Sequence, residues 1–182
     1  MSYPKPPESR SAIRKAGKRV AAGNHEQTDA DLVDQWRSSH GYVLNTFQAW
    51  LKRHIAKQSY PIEFAQRLKR RRTVFDKLTR RKPDGSHLIS DVTAMHDHAG
   101  CRLIFENLDN LNDFRKYMRS NGVTRNVRHK FRDEDEPDKY NYILAPKLTG
   151  YRGIHDVYRH LPRRHRRDET MNNPWDGLFV EV

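Results

Sequence analysis

Residues 95–105 contain side chains that could bind a metal ion and phosphate. Asp97 precedes Gly100 and Arg102 at the point where an apolar run begins. A carboxylate at the entrance of a strand is well placed to hold a divalent cation, and an arginine offers phosphate a fork of donors. The glycine would allow a ligand to approach the backbone closely. Taken alone, the segment also fits a helix-to-strand connection with an ordinary capping aspartate.

A second segment, residues 142–155, places cations beside an aromatic ring. Lys147, Tyr151, Arg152 and His155 fall within nine residues of a loop containing proline and glycine. A nucleotide needs this combination, because a ring can stack on the base while Lys and Arg meet the phosphates. The alternative is a solvated basic loop in which Tyr151 packs into the core.

Two weaker patterns flank these segments. Arg67, Lys69 and Lys77 lie in a basic stretch predicted to be helical, where they could form a phosphate-facing stripe or a solvated charged face. Glu181 lies between valines in a predicted strand, so alternation turns it to the face opposite Val180 and Val182. It could serve the chemistry or simply face solvent.

The first half of the chain is predicted to be helical. An apolar stripe with a period of 3.6 residues predicts a long helix over 29–57, with Thr28 as N-cap and Asp31 in a capping-box position. A second helix is predicted over 61–80, ending at a Lys-Pro-Asp-Gly turn. Residues 1–27 are predicted to form a flexible basic tail with one short amphipathic helix.

The second half is predicted to contain a sheet. Alternating or apolar runs predict strands, and Leu108 begins a helical pattern that extends to Arg119. The predicted strands cover residues 102–106, 123–129, 140–144, 154–160 and 178–182. The order predicts an α/β fold with a mixed sheet of about five strands flanked by helices. We expect one domain over 28–182, helical over 28–85 and sheet-forming over 86–182.

The net charge and the cysteine content of the chain restrict the kinds of partner and location that we expect. The 182 residues carry a formal net charge of +12, which favours an anionic partner such as nucleotide phosphates, RNA or an acidic membrane surface. The single cysteine, Cys101, lies in an apolar run and is expected to be a buried small hydrophobe; it excludes a disulfide within the chain. No apolar run is long enough for a membrane span, and a cytoplasmic location is expected.

The motifs resemble, in order and spacing, the synthetase domain of RelA/SpoT-type alarmone synthetases, including small and toxin-like single-domain members. The matching segments are Arg67-x-Lys69, Asp97-x-x-Gly-x-Arg102, Pro-Lys147-x-x-Gly-Tyr151-Arg152-x-x-His155 and Val-Glu181-Val. The resemblance covers roughly residues 60–182. It implies a nucleotidyltransferase-like synthetase fold and transfer of pyrophosphate from ATP to the ribose 3′-hydroxyl of GDP or GTP.

The resemblance also implies a role for each matching residue. Asp97 and Glu181 would hold Mg²⁺, and Glu181 would activate the attacking hydroxyl. Tyr151 would stack on the acceptor base and lie partly exposed in the same cleft as the two carboxylates. The remaining cations would bind phosphates: Arg67, Lys69, Lys77 and Arg102 those of ATP, and Lys147, Arg152 and His155 those of the acceptor.

Departures from the family pattern leave the acceptor open. Leu144 and Thr149 stand where many members have lysine and asparagine, so an adenine nucleotide or the 3′ end of tRNA is an alternative acceptor. Two clusters outside the motifs are candidate RNA-binding residues: Arg70, Arg71 and Arg72, and Arg163, Arg164, Arg166 and Arg167. The family's Gln-Ile-Arg-Thr would follow Val182, so a truncated, non-catalytic nucleotide- or RNA-binding module is a third expectation. An antitoxin protein and a second copy of the chain are candidate partners.

Overall fold

A computed structural model of the chain describes residues 3–89, 91–120, 123, 129–161 and 173–182. Within these ranges four α-helices and five strands form an α/β fold. The elements are α1 (Arg10–Ala22), α2 (Gln27–Ile55), β1 (Ile62–Leu68), α3 (Arg71–Thr79), a 3₁₀ turn (Val92–Ala94), β2 (Ala99–Phe105), α4 (Leu108–Met118), β3 (His129–Phe131), β4 (Val157–His160) and β5 (Phe179–Glu181).

The five strands form one mixed sheet in the order β1-β2-β5-β4-β3. The pair β2 and β5 is parallel, and the other neighbours are antiparallel. One face of the sheet packs against α2, whose buried stripe includes Val33, Val43, Phe47 and Leu51. The predicted mixed sheet of about five strands is confirmed.

No helix in the described ranges is long and apolar enough to cross a bilayer.

Helix α2 begins two residues before the predicted start. Glu26, and not Thr28, is the N-cap, because its side chain accepts from the N3 backbone while Asp29 accepts from the Glu26 N–H. This reciprocal pair satisfies two backbone donors that a helix start leaves unpaired. Asp29 also forms an ion pair with Arg19 of α1, which fastens the two helices at their junction.

Helix α1 belongs to the same core as the rest of the protein. Ile13, Ala16 and Val20 are almost fully buried, because their spacing forms one apolar face that packs on α2 and α3. The segment before α1 is also held, since Trp175 Nε1 donates to the Pro4 carbonyl at 3.0 Å. The short amphipathic helix expected within residues 1–27 is thus α1, and it packs into the core that it shares with residues beyond 27.

The predicted helix over 61–80 is wrong in its first half. Residues 62–68 form β1, which pairs with β2 in seven consecutive register positions. Ile62, Phe64 and Leu68 are partly buried against the core while Glu63 and Arg67 are exposed, an alternation that also fits a period of two. Pairing with β2, a partner distant in sequence, decides between the two periods. The basic stretch is therefore divided among β1, a connection and α3.

Among the other predicted strands, 102–106, 154–160 and 178–182 overlap β2, β4 and β5, and the helix 108–119 matches α4. The predicted strand 140–144 is a turn, because the Asn141 side chain accepts from the backbone N–H groups of Ile143 and Leu144 and bends the chain. The predicted strand 123–129 falls mostly on 124–128, outside the described residues; His129 begins β3.

Candidate active site

The face of the sheet opposite α2 carries a row of three registered residues. Arg67 of β1 pairs with Gly100 of β2, and Gly100 pairs with Glu181 of β5. Residues registered across a sheet share a face, so Arg67 and Glu181 flank Gly100 and lie roughly 10 Å apart along the strand-to-strand direction. Among the described residues, a methyl group at Gly100 would meet only the Glu181 backbone carbonyl, at 3.7 Å. The glycine thus leaves open space between an arginine and a carboxylate.

A cavity of about 700 Å³ lies at this row. Its polar lining includes seven of the residues singled out in the sequence: Arg67, Asp97, Arg102, Tyr151, Arg152, His155 and Glu181. Leu103, Phe114 and Met118 form an apolar end near α4. Asp97 and Glu181, which are far apart in sequence, face one cavity as expected. Lys69, Lys77 and Lys147 do not line it in the structure.

Two lysines hold Asp97. Lys69 Nζ donates to Asp97 Oδ2 at 2.5 Å and Lys77 Nζ donates to the same oxygen at 2.8 Å. Burial alone would raise the pKa of Asp97, but the two ammonium groups outweigh it and lower the pKa to about 2. Asp97 Oδ1 is buried and has no hydrogen-bond partner among the described residues. The carboxylate is therefore ionised and only half satisfied.

On the other side of the cavity a chain of hydrogen bonds joins Tyr151, His155 and Glu181. His155 Nδ1 lies 2.8 Å from Glu181 Oε1, and His155 Nε2 lies 3.0 Å from the Tyr151 hydroxyl. A carboxylate can only accept, so Nδ1–H donates to Glu181, and Nε2 of a neutral imidazole accepts from the tyrosine. Tyr151 remains 44% exposed. Its ring can therefore stack on a base while its hydroxyl fixes the histidine.

Gly153 makes room for that tyrosine. A Cβ at position 153 would come within 2.9 Å of the Tyr151 hydroxyl and 3.3 Å of its ring. Lys147 Nζ lies 3.9 Å from the centre of the Tyr142 ring and 5.3 Å from that of Tyr151, so it is held above the aromatic pair as a cation–π contact. Lys147 is thus placed at the rim of the loop, beside the stacking surface.

Helix α4 anchors the loop that carries Tyr151. Arg115 donates to both carboxylate oxygens of Asp156, at 3.2 and 3.1 Å, and also to Asp138 at 3.0 Å. Arg119 donates to Asp156 and to the Pro137 carbonyl, each at 3.0 Å. Asp138 and Asp156 stand on either side of the loop, so two arginines fix both of its ends. Sequence reasoning missed this clamp, because nothing local in residues 133–138 indicates a partner on α4.

Sequence reasoning also missed Tyr142, Gly153 and Arg132. Arg132 donates to His96 Nε2 at 2.6 Å, and its guanidinium carbon lies 5.4 Å from the centre of the Phe179 ring. Arg132 therefore links the start of β5 to His96, the residue before Asp97. Tyr142 begins the segment 142–155, but its position nine residues before Tyr151 gives no sign that the two rings would meet. The ring centres lie 5.9 Å apart.

The first candidate RNA-binding cluster lies at the start of α3. Arg70, Arg71 and Arg72 are exposed and do not line the cavity. Arg71 lies over the Phe75 ring at 5.3 Å, and Arg72 faces Asp76 at 3.9 Å. The second cluster, Arg163, Arg164, Arg166 and Arg167, falls outside the described residues.

The carboxylates fit a magnesium ion that is shared with a ligand. Among the described residues no group of three or more acidic, histidine or cysteine side chains could enclose a metal. Mg²⁺ is usually held by one or two carboxylates together with substrate phosphates, and needs no such cage. The unpartnered Oδ1 of Asp97 is an acceptor that a hard cation would satisfy. Asp97 and Glu181 could therefore hold Mg²⁺ together with the phosphates of a bound nucleotide.

Comparison with solved structures identifies the fold. Small alarmone synthetase 2 from Bacillus subtilis is similar with a TM-score of 0.51 and 18% identity, over 79% of this chain and 67% of that one. A GTP pyrophosphokinase family protein from Streptococcus pneumoniae is similar with a TM-score of 0.51 and 16% identity, over 86% of this chain and 70% of that one. The chain has the α/β synthetase fold of these two proteins. No protein-family model and no curated protein matches its sequence.

Proposed function

We propose that the protein is a RelA/SpoT-type nucleotide pyrophosphokinase that transfers the β,γ-pyrophosphate of ATP to the ribose 3′-hydroxyl of GDP or GTP. The observation that carries the proposal is the hydrogen-bonded chain Tyr151–His155–Glu181 facing the ion-paired Asp97 across one cavity. One side offers a stacking ring joined to a carboxylate base. The other offers a carboxylate and cations suited to a polyphosphate.

The reaction then runs between the two sides. The acceptor base stacks on Tyr151, and this stacking brings the 3′-oxygen of the acceptor ribose towards Glu181. As this oxygen attacks the β-phosphorus of ATP, its proton passes to the Glu181 carboxylate, through the oxygen that His155 does not hold. The bond from the β-phosphorus to the α,β-bridging oxygen breaks, and AMP leaves.

Positive charge from the chain supports the same step. Arg67 and Arg102 line the cavity on the β1–β2 side, where guanidinium forks can bind the ATP phosphates. Arg152 lines it on the acceptor side. A bound Mg²⁺ would neutralise charge on the phosphate oxygens. Transfer of this kind depends on positioning and charge neutralisation more than on covalent chemistry.

Incubation with ATP labelled on its γ-phosphate tests the proposal. GDP, GTP, ATP and deacylated tRNA are offered separately, and the labelled product is identified. Label on GDP or GTP, with release of AMP, supports the proposal. Binding of ATP and acceptor with no label on any of the four would overturn it in favour of a non-catalytic binding module.

Replacing Tyr151 with alanine is expected to raise the acceptor KM about 10–100-fold and leave the ATP KM within about twofold, because stacking on an aromatic contributes ~1–3 kcal/mol per base. Tyr151→Phe keeps the ring and removes the hydroxyl that contacts His155, so it should change kcat more than the acceptor KM. Steady-state kinetics with each substrate varied separately measures both effects.

Tyr3→Ala is the matched control, since Tyr3 is 39% exposed and does not line the cavity. An equal rise in both KM values for Tyr151→Ala, accompanied by a lower melting temperature, would show that the ring serves packing and not the acceptor.

A tRNA acceptor is the second candidate, favoured by the exposed Arg70, Arg71 and Arg72 next to the donor side of the site. If they bind tRNA phosphates, Arg70→Ser/Arg71→Ser should reduce transfer to tRNA and leave transfer to GDP unchanged. The salt slope of tRNA binding should then fall by about one for each phosphate that the variant no longer binds. Unchanged tRNA binding and transfer in this variant would exclude the cluster as an RNA site.

A further inference from the structure

Asp97 could hold Mg²⁺ only after a rearrangement, because both of its oxygens are covered in the structure. Oδ2 accepts from two ammonium groups, and Oδ1 is shielded from solvent. A divalent cation would also meet two positive charges beside a single negative one, and such repulsion is large in a partly buried site. For a cation to reach Asp97, one of the lysines must leave.

The two lysines are held differently. The Lys69 side chain is 8% exposed. The Lys69 backbone is also fixed, since its N–H donates to the His98 carbonyl at 2.7 Å and its carbonyl accepts from Arg37 at 3.2 Å. The Lys77 side chain is 26% exposed and projects from the last turn of α3. Turning Lys69 away would bury its charge without a partner, whereas Lys77 can swing on its flexible stem towards water or a ligand.

We infer that Lys77 is an exchangeable counter-ion, which neutralises Asp97 until a nucleotide arrives and then moves to its phosphates, while Lys69 stays on Asp97 as a positioning residue. The inference rests on the proposed function, because the ATP phosphates are what receives Lys77. It divides the two lysines that the family resemblance treats alike. The donor nucleotide brings the negative charge that releases Lys77, so metal and nucleotide are expected to bind together.

The first test uses Mn²⁺ alone, with no nucleotide, and counts free Mn²⁺ by electron paramagnetic resonance. Lys77→Met removes the competing ammonium group and is expected to raise Mn²⁺ affinity about tenfold. Lys82→Met, a change of an exposed lysine in a turn, should leave Mn²⁺ affinity unchanged. Unchanged Mn²⁺ affinity in folded Lys77→Met would overturn the inference.

The second test separates the lysines with α,β-methylene ATP, whose α–β linkage cannot be cleaved in the transfer. In the presence of Mn²⁺, Lys77→Met should lower the affinity for this analogue about tenfold, whereas Lys69→Met should change it by less than about twofold. Melting temperatures confirm that both variants are folded, and Lys69→Arg replaces Lys69→Met if the latter is not. An equal loss of analogue affinity in the Lys69 and Lys77 variants would also overturn the inference.

These results are independent of turnover. If no acceptor gains label but Lys77→Met still binds Mn²⁺ more tightly, the proposed reaction fails and the counter-ion exchange stands. If label is transferred but the parent protein and Lys77→Met bind Mn²⁺ with equal affinity, the proposed reaction stands and the counter-ion exchange fails.

Discussion

Replacing Glu181 with glutamine is expected to slow pyrophosphate transfer about 10²–10⁴-fold, the usual range for loss of a general base. An amide has nearly the shape of the carboxylate, and its oxygen can still accept from His155 Nδ1. It cannot take a proton from the attacking hydroxyl. Because the Glu181 side chain is 28% exposed, the change should leave the free energy of unfolding nearly unaltered.

Single-turnover transfer from labelled ATP measures the rate, and thermal unfolding measures stability. Glu63→Gln is the matched control, since Glu63 is an exposed glutamate of β1 on the same face of the sheet and does not line the cavity. Transfer by Glu181→Gln within about threefold of the parent rate would remove Glu181 as the base.

Replacing Asp97 with asparagine is expected to abolish measurable transfer and to lower stability. Lys69 would keep its charge in a buried position without its counter-ion, which in other buried pairs costs about 3–5 kcal/mol. At ~2–4 °C per kcal/mol for a chain of this size, the melting temperature should fall by roughly 10 °C. The expected loss reflects the charge left behind more than the bond removed.

The double variant Lys69→Met/Asp97→Asn separates the two effects. Removing both charges should recover most of the melting temperature without recovering transfer. Asp76→Asn makes the same substitution in an exposed ion pair with Arg72 and should change stability by less than about 1 kcal/mol. A single Asp97→Asn variant as stable as the parent would mean that Lys69 finds another acceptor.

Hydrophobic periodicity in the sequence predicts those helices and strands whose apolar residues repeat with a single clear period. The stripe of α2 and the apolar run of β2 were found within a few residues. Residues 61–80 were misassigned because Ile62, Phe64 and Leu68 fit both a helix and a strand, and only the seven-residue ladder with β2 selects the strand. The turn at 141–145 was missed because a single asparagine side chain overrides the apolar run that follows it.

In the candidate site, too, features set by local sequence are predicted and contacts between distant residues are not. The order of motifs predicted that Asp97, Tyr151 and Glu181 would meet, and they line one cavity. It does not predict that Lys69 and Lys77 hold Asp97, because a helix over 61–80 would put both lysines on one element, whereas Lys69 precedes α3 and Lys77 lies within it. Interactions between residues distant in sequence carry no local signature, and this was also true of the clamp from Arg115 to Asp156.

The junction between β2 and β5 is a single registered pair, Gly100 with Glu181, and it separates the proposed donor residues from the proposed acceptor residues. Arg67, Asp97 and Arg102 belong to the β1–β2 side, whereas Tyr151, Arg152 and His155 belong to a loop fastened to α4. Under the proposed assignment, mutations that alter the loop can change which molecule is modified without disturbing the ATP side. The fold is thus open to divergence of acceptor choice, and grafting a loop from a relative with a different acceptor is a practical route to altered specificity.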